Sequence, residues 1–339
     1  MGKLSLPTIS EIQQKNRNCI SSQIDLKNMF FSVELEEDSK SKTTFYWKNR
    51  MYCHNRLGQG LSVSPYISAA AMNYTFIDSL LDRFKNGFNF IDLPFSSYNQ
   101  FMDFYIDDII LYCKRDKFYE KYSPTALHYI LLESVIWALN DAGWKGSLNK
   151  CNFLKPTFQF LGVEINTKSN YSKMLSNRVE SIQQWRSPMS AGEASSRLSA
   201  LGYYSKHIPF LPLLGLPIYN AISSDKFQWT EECEIAFSNL KFIISLEIEL
   251  YHYDPEQILV TTSDASAVGM NASFFNFSKT TGELSLIDTQ TKLFAGAELR
   301  YTPVQKENMS LMFSWFKGEA YIRSNINETW SLCDASSHQ

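Results

Sequence analysis

Residues Phe104–Ile110 read FYIDDII, which places two adjacent carboxylates, Asp107 and Asp108, inside an otherwise apolar run. Burying a carboxylate without compensation costs several kcal/mol, so water or a cation must reach the pair. The flanks MDFY and IILYC have the apolar character of two strands, and a tight hairpin keeps both arms buried while the acids sit at the turn. Asp is also at home in turns for purely local reasons, because it bonds its own backbone. What adds weight is Asp25, which closes another strand-like run, SSQID. Two such strands side by side bring Asp25 and Asp107 within a few Å. Like charges that close stay ionised together only if a divalent cation neutralises them. Hard oxygen ligands favour Mg²⁺, and two such ions about 4 Å apart stabilise an in-line phosphoryl displacement.

The remaining composition narrows the class without settling it. A chain of 339 residues exceeds one ordinary domain and has length for about two or three. Its six cysteines show no paired Cys-x-x-Cys spacing, so we expect reduced thiols in an intracellular protein rather than zinc ribbons or a disulfide frame. The first residues lack the apolar core of a signal peptide, and no apolar run approaches the roughly 20 residues that span a bilayer. The formal net charge of −3 does not advertise a polyanion partner, although Lys48, Arg50, His54 and Arg56 cluster, as do Lys145, Lys150 and Lys155.

Local patterning predicts an α+β chain. A hairpin is expected around Lys48-Asn49, a helix from about Pro65, a second helix over PTALHYILLESVIWALNDAG ending near Gly143, and one strand over TFQFLGVEIN. Two helical patterns follow, over 177–186 and 191–206, then a Pro-rich connector from Pro209 to Pro217. Beyond Glu256 the pattern becomes strand-like, breaks at Gly269, continues through ELSLIDTQTKLF and ends in the helical TPVQKENMSLMFSWFKGEAYI.

Five fragments, in order, resemble the motifs of reverse transcriptases from retroviruses and LTR retrotransposons, most closely the Ty3/gypsy-like group. IDLKNMFFSVEL resembles the first palm motif, LGQGLSVSP the second, YIDD the Y-x-D-D box, AGWKGSLNKCNF the next, and FQFLG the start of the primer grip. The resemblance implies Asp25, Asp107 and Asp108 as metal-binding carboxylates, Phe30 as the gate against a nucleotide 2′-OH, and Gln59, Gly60 and Tyr105 as nucleotide-contacting residues. It also implies Lys150 near the departing pyrophosphate and Phe160, Leu161 and Gly162 at the primer. Downstream, GYYSKHIP resembles the family's thumb, and TTSDASAVGMNASFF with ELRYTPVQKEN resembles a ribonuclease H domain, which implies Asp264, Glu307 and Asp334 as its metal carboxylates.

Each feature has a plainer reading when taken singly. Phe30 fits a core aromatic, Gln59 and Gly60 a loop, Lys150 a solvated helix end, Asp264 a turn residue and Glu307 a solvated helix face. The ordered set implies a palm with partial fingers over 1–168, a thumb with connecting helices over 169–250, and a partial ribonuclease H-like domain over 251–339. It further implies RNA-directed DNA synthesis on an RNA or DNA template with primer, from deoxynucleoside triphosphates, with two Mg²⁺ (Mn²⁺ as substitute) per active site. Other Pol or Gag segments are implied partners, and the cytoplasm or a virus-like particle the location, with no membrane attachment. Matched against the family, the chain begins just upstream of the first catalytic motif and stops soon after Asp334, so a fragment cut at both ends is expected. Two rivals follow: an inactive relic or co-opted nucleic-acid-binding protein, and a Mg²⁺-dependent nuclease acting through Asp264 and Glu307 alone.

Overall fold

The computed structural model describes residues 9–76, 98–115 and 122–333. The chain forms two compact units, Met1–Phe160 with Asn166–Ser169, and Leu161–Ile165 with Asn170–Gln339.

The first unit is organised by a three-stranded sheet in the order β1-β5-β4, made of β1 (Cys19–Asp25), β4 (Met102–Tyr105) and β5 (Asp108–Lys114), with β5 antiparallel to both neighbours. The hairpin expected at Lys48-Asn49 is present as β2 (Phe45–Trp47) and β3 (Arg50–Tyr52), and both turn residues have positive φ, 47° and 56°. Alternation along β5 sends Ile109, Leu111 and Cys113 to one face, with Ile24 of β1 and Met102 and Phe104 of β4. That face packs on helix α1 (Ser64–Tyr74) through Ala69 and Met72 and on helix α2 (Pro124–Asp141) through Leu127, Leu131, Val135 and Ala138. Each fully buried aliphatic side chain here contributes about 1.5–3 kcal/mol, enough in sum to hold polar and strained residues on the opposite face. Helix α2 is capped by Ser123, which accepts from Ala126 N at 3.3 Å, and stops as expected before Gly143, whose φ is 78°. The opposite face carries Gln23, Asp25, Asp103, Asp108 and Tyr112. An N-terminal helix, Ile9–Asn16, lies at the end of the sheet away from Asp25, where Asn16 accepts from Ser21 and Lys15 donates to Asp103.

TFQFLGVEIN departs from expectation. It is two strands, β6 (Thr157–Phe160) and β7 (Val163–Asn166), separated by Leu161 at φ 45° and Gly162 at φ 79°. Apolar residues run through the turn at Phe158, Phe160, Leu161, Val163 and Ile165, so the stretch reads as a single strand although its alternation slips by one residue at Phe160–Leu161. β7, β8 (Tyr171–Met174) and β9 (Leu250–Tyr251) follow one another across a sheet of the second unit.

A helical cluster follows. It is formed by α3 (Ser176–Gln183), α4 (Ala191–Tyr203), α5 (Leu216–Ser223) and α6 (Glu231–Ser245), packed through Val179, Leu198, Leu201, Ile218, Phe237 and Leu240. Ser190 and Thr230 cap α4 and α6 by accepting from Glu193 N and Cys233 N. The expected Pro-rich connector is instead helical over Leu211–Leu214 and in α5. Pro212 and Pro217 sit in the first turns, where a missing N–H costs nothing.

The last region is a four-stranded sheet in the order β12-β11-β10-β13, from β10 (Ile258–Ala265), β11 (Gly269–Phe277), β12 (Leu284–Leu293) and β13 (Thr329–Cys333). β10 and β13 are parallel and the other pairs antiparallel. Helix α7 (Pro303–Ser324) lays Phe313, Tyr321 and Ile322 against Leu259, Ala272, Phe274 and Ile287. It lies so close that a Cβ at Gly318 would sit 2.5 Å from the Phe274 ring. The architecture is the α+β arrangement of antiparallel sheets and helices that the sequence predicts. Among the described residues no helix is long and apolar enough to cross a membrane.

Candidate functional site

Register builds the acidic corner of the first unit. Asp25 lies directly opposite Asp108, and Tyr105 pairs with Asp108 from the other side, so Ile106 and Asp107 form a two-residue turn. Cross-strand partners share a face, which puts the side chains of Asp25 and Asp108 on the side away from α1 and α2. Asp107 is held by its backbone, since its carbonyl accepts from Leu26 N at 2.8 Å, the peptide following Asp25. Ile106 adopts φ 54°, where a β-branched side chain is strained by about 1–2 kcal/mol. Its packing against the core cluster offsets that strain, and the turn carries both aspartates at the sheet end.

A third segment closes on this corner. Asn152 exchanges both backbone hydrogen bonds with Gln23, at 2.7 and 2.9 Å, and Ser147 N donates to Asp25 O at 2.8 Å. Between these anchors the chain makes a short 3₁₀ turn, Leu148–Lys150, which brings Lys150 Nζ to 3.8 Å from Asp25 Oδ2. The lysine is 71% exposed, so this long pair adds little to stability and leaves the ammonium accessible to an anion.

Burial raises the pKa of Asp107, and the Asp25 charge raises it further against the opposing effects of its own backbone and Lys150. Burial also raises Asp108, with Asp25 and Asp107 adding to the shift, while a 3.0 Å hydrogen bond from Gln23 Nε2 opposes it. Asp103, on the same face, is also raised by burial, yet it is held by Lys15 at 2.7 Å and by Tyr112 Oη at 3.0 Å. Asp103 is therefore a compensated structural acid, whereas Asp107 and Asp108 are raised by burial and by the Asp25 charge beside them.

Other sequence-predicted residues surround the corner. Phe30 is half-buried in the helical turn Met29–Ser32. That turn is tied to the glycine loop by Arg56, which donates to the carbonyls of Phe31 and Ser32, and by Leu57 N donating to Val33 O. Gln59 is exposed, and Gly60, at φ 86°, has open space where a side chain would be. Tyr105 packs edge-on against Phe160, the rings 6.2 Å apart. In the second unit, Leu161 O accepts from Tyr203 Oη at 2.7 Å.

The second set of acids is built differently. Asp264 is exposed near the end of β10, opposite Asn271, while Glu307 is half-buried in the first turns of α7. Lys306, itself buried, donates to Ala267 O at 2.7 Å and Leu299 O at 3.2 Å, tying the loop beyond Asp264 to the turn that carries Glu307. Asp334 lies outside the described residues.

Among the described residues, no group of three or more His, Cys, Asp and Glu side chains is close enough to hold a metal ion. Mg²⁺ does not require such a group, because it is commonly held by one or two carboxylates with water and substrate phosphates completing its shell. Asp25 and Asp107 fit that donor set, and one oxygen of Asp108, Oδ1, accepts from Gln23 Nε2. Sequence reasoning missed Gln23 and Lys306. A polar residue two positions before Asp25 in a buried strand, and a lysine beside Glu307 on an amphipathic helix, are the signals that mark them.

Residues 2–165 match the family model described as reverse transcriptase (RNA-dependent DNA polymerase), and residues 229–327 match an RNase H-like domain found in reverse transcriptase. The chain is 27% identical over 312 residues to the retrovirus-related Pol polyprotein of transposon 297 from Drosophila melanogaster, covering 91% of this chain and 26% of that protein. It is 22% identical over 331 residues to a Tf2-3 transposon polyprotein of Schizosaccharomyces pombe, covering 97% of this chain and 23% of the polyprotein. It thus spans about a quarter of the length of these relatives. Two solved structures of a foamy viral protease-reverse transcriptase, one with double-stranded DNA and one with an RNA/DNA hybrid, share the fold at TM-scores of 0.72 and 0.71. Each is 22% identical, covering 98% of this chain and 53% and 41% of theirs. The family resemblance read from the motifs is borne out.

Proposed function

Since this chain belongs to the reverse transcriptase and ribonuclease H-like region of retroelement Pol polyproteins, we propose that its first unit performs template-directed DNA synthesis at Asp25 and Asp107. The observation that carries this reading is the cross-strand register that joins Asp25, Asp107 and Asp108 at one sheet end, where burial and the Asp25 charge oppose ionisation of Asp107 and Asp108. Asp25 and Asp107 are the residues suited to holding Mg²⁺. When bound there, the ion supplies Lewis-acid stabilisation of the charge that develops on phosphoryl oxygens.

The side chains divide the remaining tasks. Gln23 fixes the Asp108 carboxylate, so that acid adds negative potential at the corner without competing as a ligand. Lys150, exposed beside Asp25, places a cation where a departing pyrophosphate gains charge. The half-buried Phe30 stands as a steric gate against a 2′-hydroxyl, and the open backbone at Gly60 with the exposed Gln59 lets a nucleotide approach. Template and primer are held through phosphates, so binding weakens steeply with salt. The partners proposed are an RNA or DNA template with primer and deoxynucleoside triphosphates.

A second activity, hydrolysis of the RNA strand of a hybrid, is proposed for Asp264 and Glu307, supported by the Lys306 tie between their segments. Primer extension on an RNA template in Mg²⁺, with Asp107→Asn as control, tests the main reading. Extension by the wild-type chain that disappears in the variant supports it. Salt-sensitive duplex binding without extension above the variant would identify a nucleic-acid-binding relic instead.

A further inference from the structure

Helix α2 buries one titratable group that the acidic corner does not use. His128 is fully buried, and its Nε2 lies 2.8 Å from Oγ of Ser22 on β1. Burial lowers the ring's pKa to about 4, with the Arg115 charge adding to the shift, so the ring is uncharged at neutral pH. The same hydroxyl accepts from Leu154 N at 3.0 Å. Its own proton is then free for Nε2, which leaves only Nδ1–H without a partner among the described residues. The opposite tautomer would leave both the hydroxyl proton and Nδ1 unmatched. By that count the hydrogen bonds run from Leu154 N–H through the serine to the imidazole.

Leu154 needs such a hold. Its φ of 53° lies in the left-handed region, which costs a leucine about 1–2 kcal/mol. Two residues earlier, Asn152 exchanges backbone hydrogen bonds with Gln23 and donates from Nδ2 to Gln23 Oε1 at 3.2 Å. Successive residues of β1 point to opposite faces, so Gln23 grips the segment on the open side and Ser22 on the side of α2. The 147–154 segment is thereby clamped to the edge of β1 from both faces, and it carries Lys150 to 3.8 Å from Asp25. Gln23 also donates to Asp108, so one jaw of the clamp is shared with the acids.

We propose that His128, acting through Ser22, is a positioning residue that fixes the 147–154 segment along β1 and so sets where Lys150 stands beside Asp25. Its consequence for nucleotide addition rests on the polymerase reading. The fold requires of residue 128 a buried, uncharged acceptor at the place of Nε2. An apolar side chain of similar size fills the space but leaves the serine proton without a partner.

The test uses the full chain, with single-nucleotide addition and amide hydrogen exchange of the 147–154 peptide measured in parallel. His128→Leu is expected to slow addition about five- to tenfold and to speed exchange of that peptide, while duplex affinity stays within about twofold. His128→Gln, whose Oε1 reaches the place of Nε2, is expected to restore both. In a Lys150→Ala background His128→Leu is expected to slow addition no further, because both changes act at one group. If the leucine variant does not fold, Ser22→Ala, which removes a single oxygen, carries the same expectations. Full additivity with Lys150→Ala, or a glutamine variant as impaired as the leucine or alanine variant, would overturn the inference. A wild-type chain that adds no nucleotide would sink the polymerase reading. The inference would then stand if exchange of the 147–154 peptide quickens in His128→Leu and recovers in His128→Gln, and fall if it does not.

Discussion

In the first unit, hydrogen-bond register sets Asp25 opposite Asp108, with Asp107 in the adjoining turn. In the second unit, Asp264 stands near the end of a strand and Glu307 rides a helix, and the buried ammonium of Lys306 ties their segments together. The first arrangement is enforced by the whole ladder. Slipping β1 by one residue against β5 would turn the buried Ile24 to the open face and Asp25 into the core, so the positions of the acids are as secure as the core itself. The second depends on the packing of α7 against the sheet, with Lys306 adding a local tie between the loop beyond Asp264 and the turn that carries Glu307. Acids placed by register are fixed by backbone pairing, and acids placed by helix-on-sheet packing are fixed by side chains.

The largest effect that sharpens this contrast is a reciprocal one. Asp107→Asn is expected to lower nucleotide addition on the order of 10³-fold, since several kcal/mol of charge stabilisation are lost at about 1.4 kcal/mol per decade, and to leave hybrid cleavage intact. Asp264→Asn is expected to do the reverse. Parallel loss of both activities in either variant would break the separation of the two sites.

Next in size is Lys306→Met. Two carbonyls lose their buried donor, which costs about 1–3 kcal/mol, and hybrid cleavage is expected to fall roughly tenfold while nucleotide addition stays within twofold. Unchanged cleavage in a folded variant would show that Lys306 places neither acid. A smaller change is expected from Gln23→Leu, which frees Asp108 to compete for the cation. Nucleotide addition should fall a few-fold and require more Mg²⁺, and an unchanged Mg²⁺ titration would remove Gln23 from the site.

The smallest effect concerns stability. Asp107 is raised in the folded chain, first by burial and then by Asp25. A raised carboxyl gives stability that is fully present below its unfolded value of about 3.9 and is lost as pH climbs through the raised folded value. Asp107→Asn is therefore expected to raise the thermal midpoint at pH 7, at roughly 2–4 °C per kcal/mol, with the gain vanishing as pH falls below the ordinary aspartate range. Mg²⁺ should stabilise the wild-type chain more than the variant. A midpoint difference that does not depend on pH would contradict the electrostatic reading.

Much of this was legible because strands and helices announce themselves through spacing. The apolar arms around Asp107 and Asp108 made the hairpin readable, and amphipathic spacing with Gly143 at its end marked α2. The break at Leu161–Gly162 was hidden because leucine in a left-handed turn carries no local signal; Tyr203, some forty positions away, holds it. Pro212 and Pro217 read as a connector, since proline starts helices as readily as it ends them. Gln23 and Lys306 escaped notice because their roles depend on which backbone or carboxylate lies across from them, and only the assembled sheets show that.

Iron-mediated cleavage tests the placement of the metal most directly. Fe²⁺ is substituted for Mg²⁺ in the presence of primer–template and ascorbate, and the sites of backbone scission are mapped. Convergence of Asp25 and Asp107 on one ion predicts cuts clustered near both residues, competed by Mg²⁺ and lost at both places in Asp107→Asn. Cuts near only one of them, or a pattern unchanged by the substitution, would contradict it.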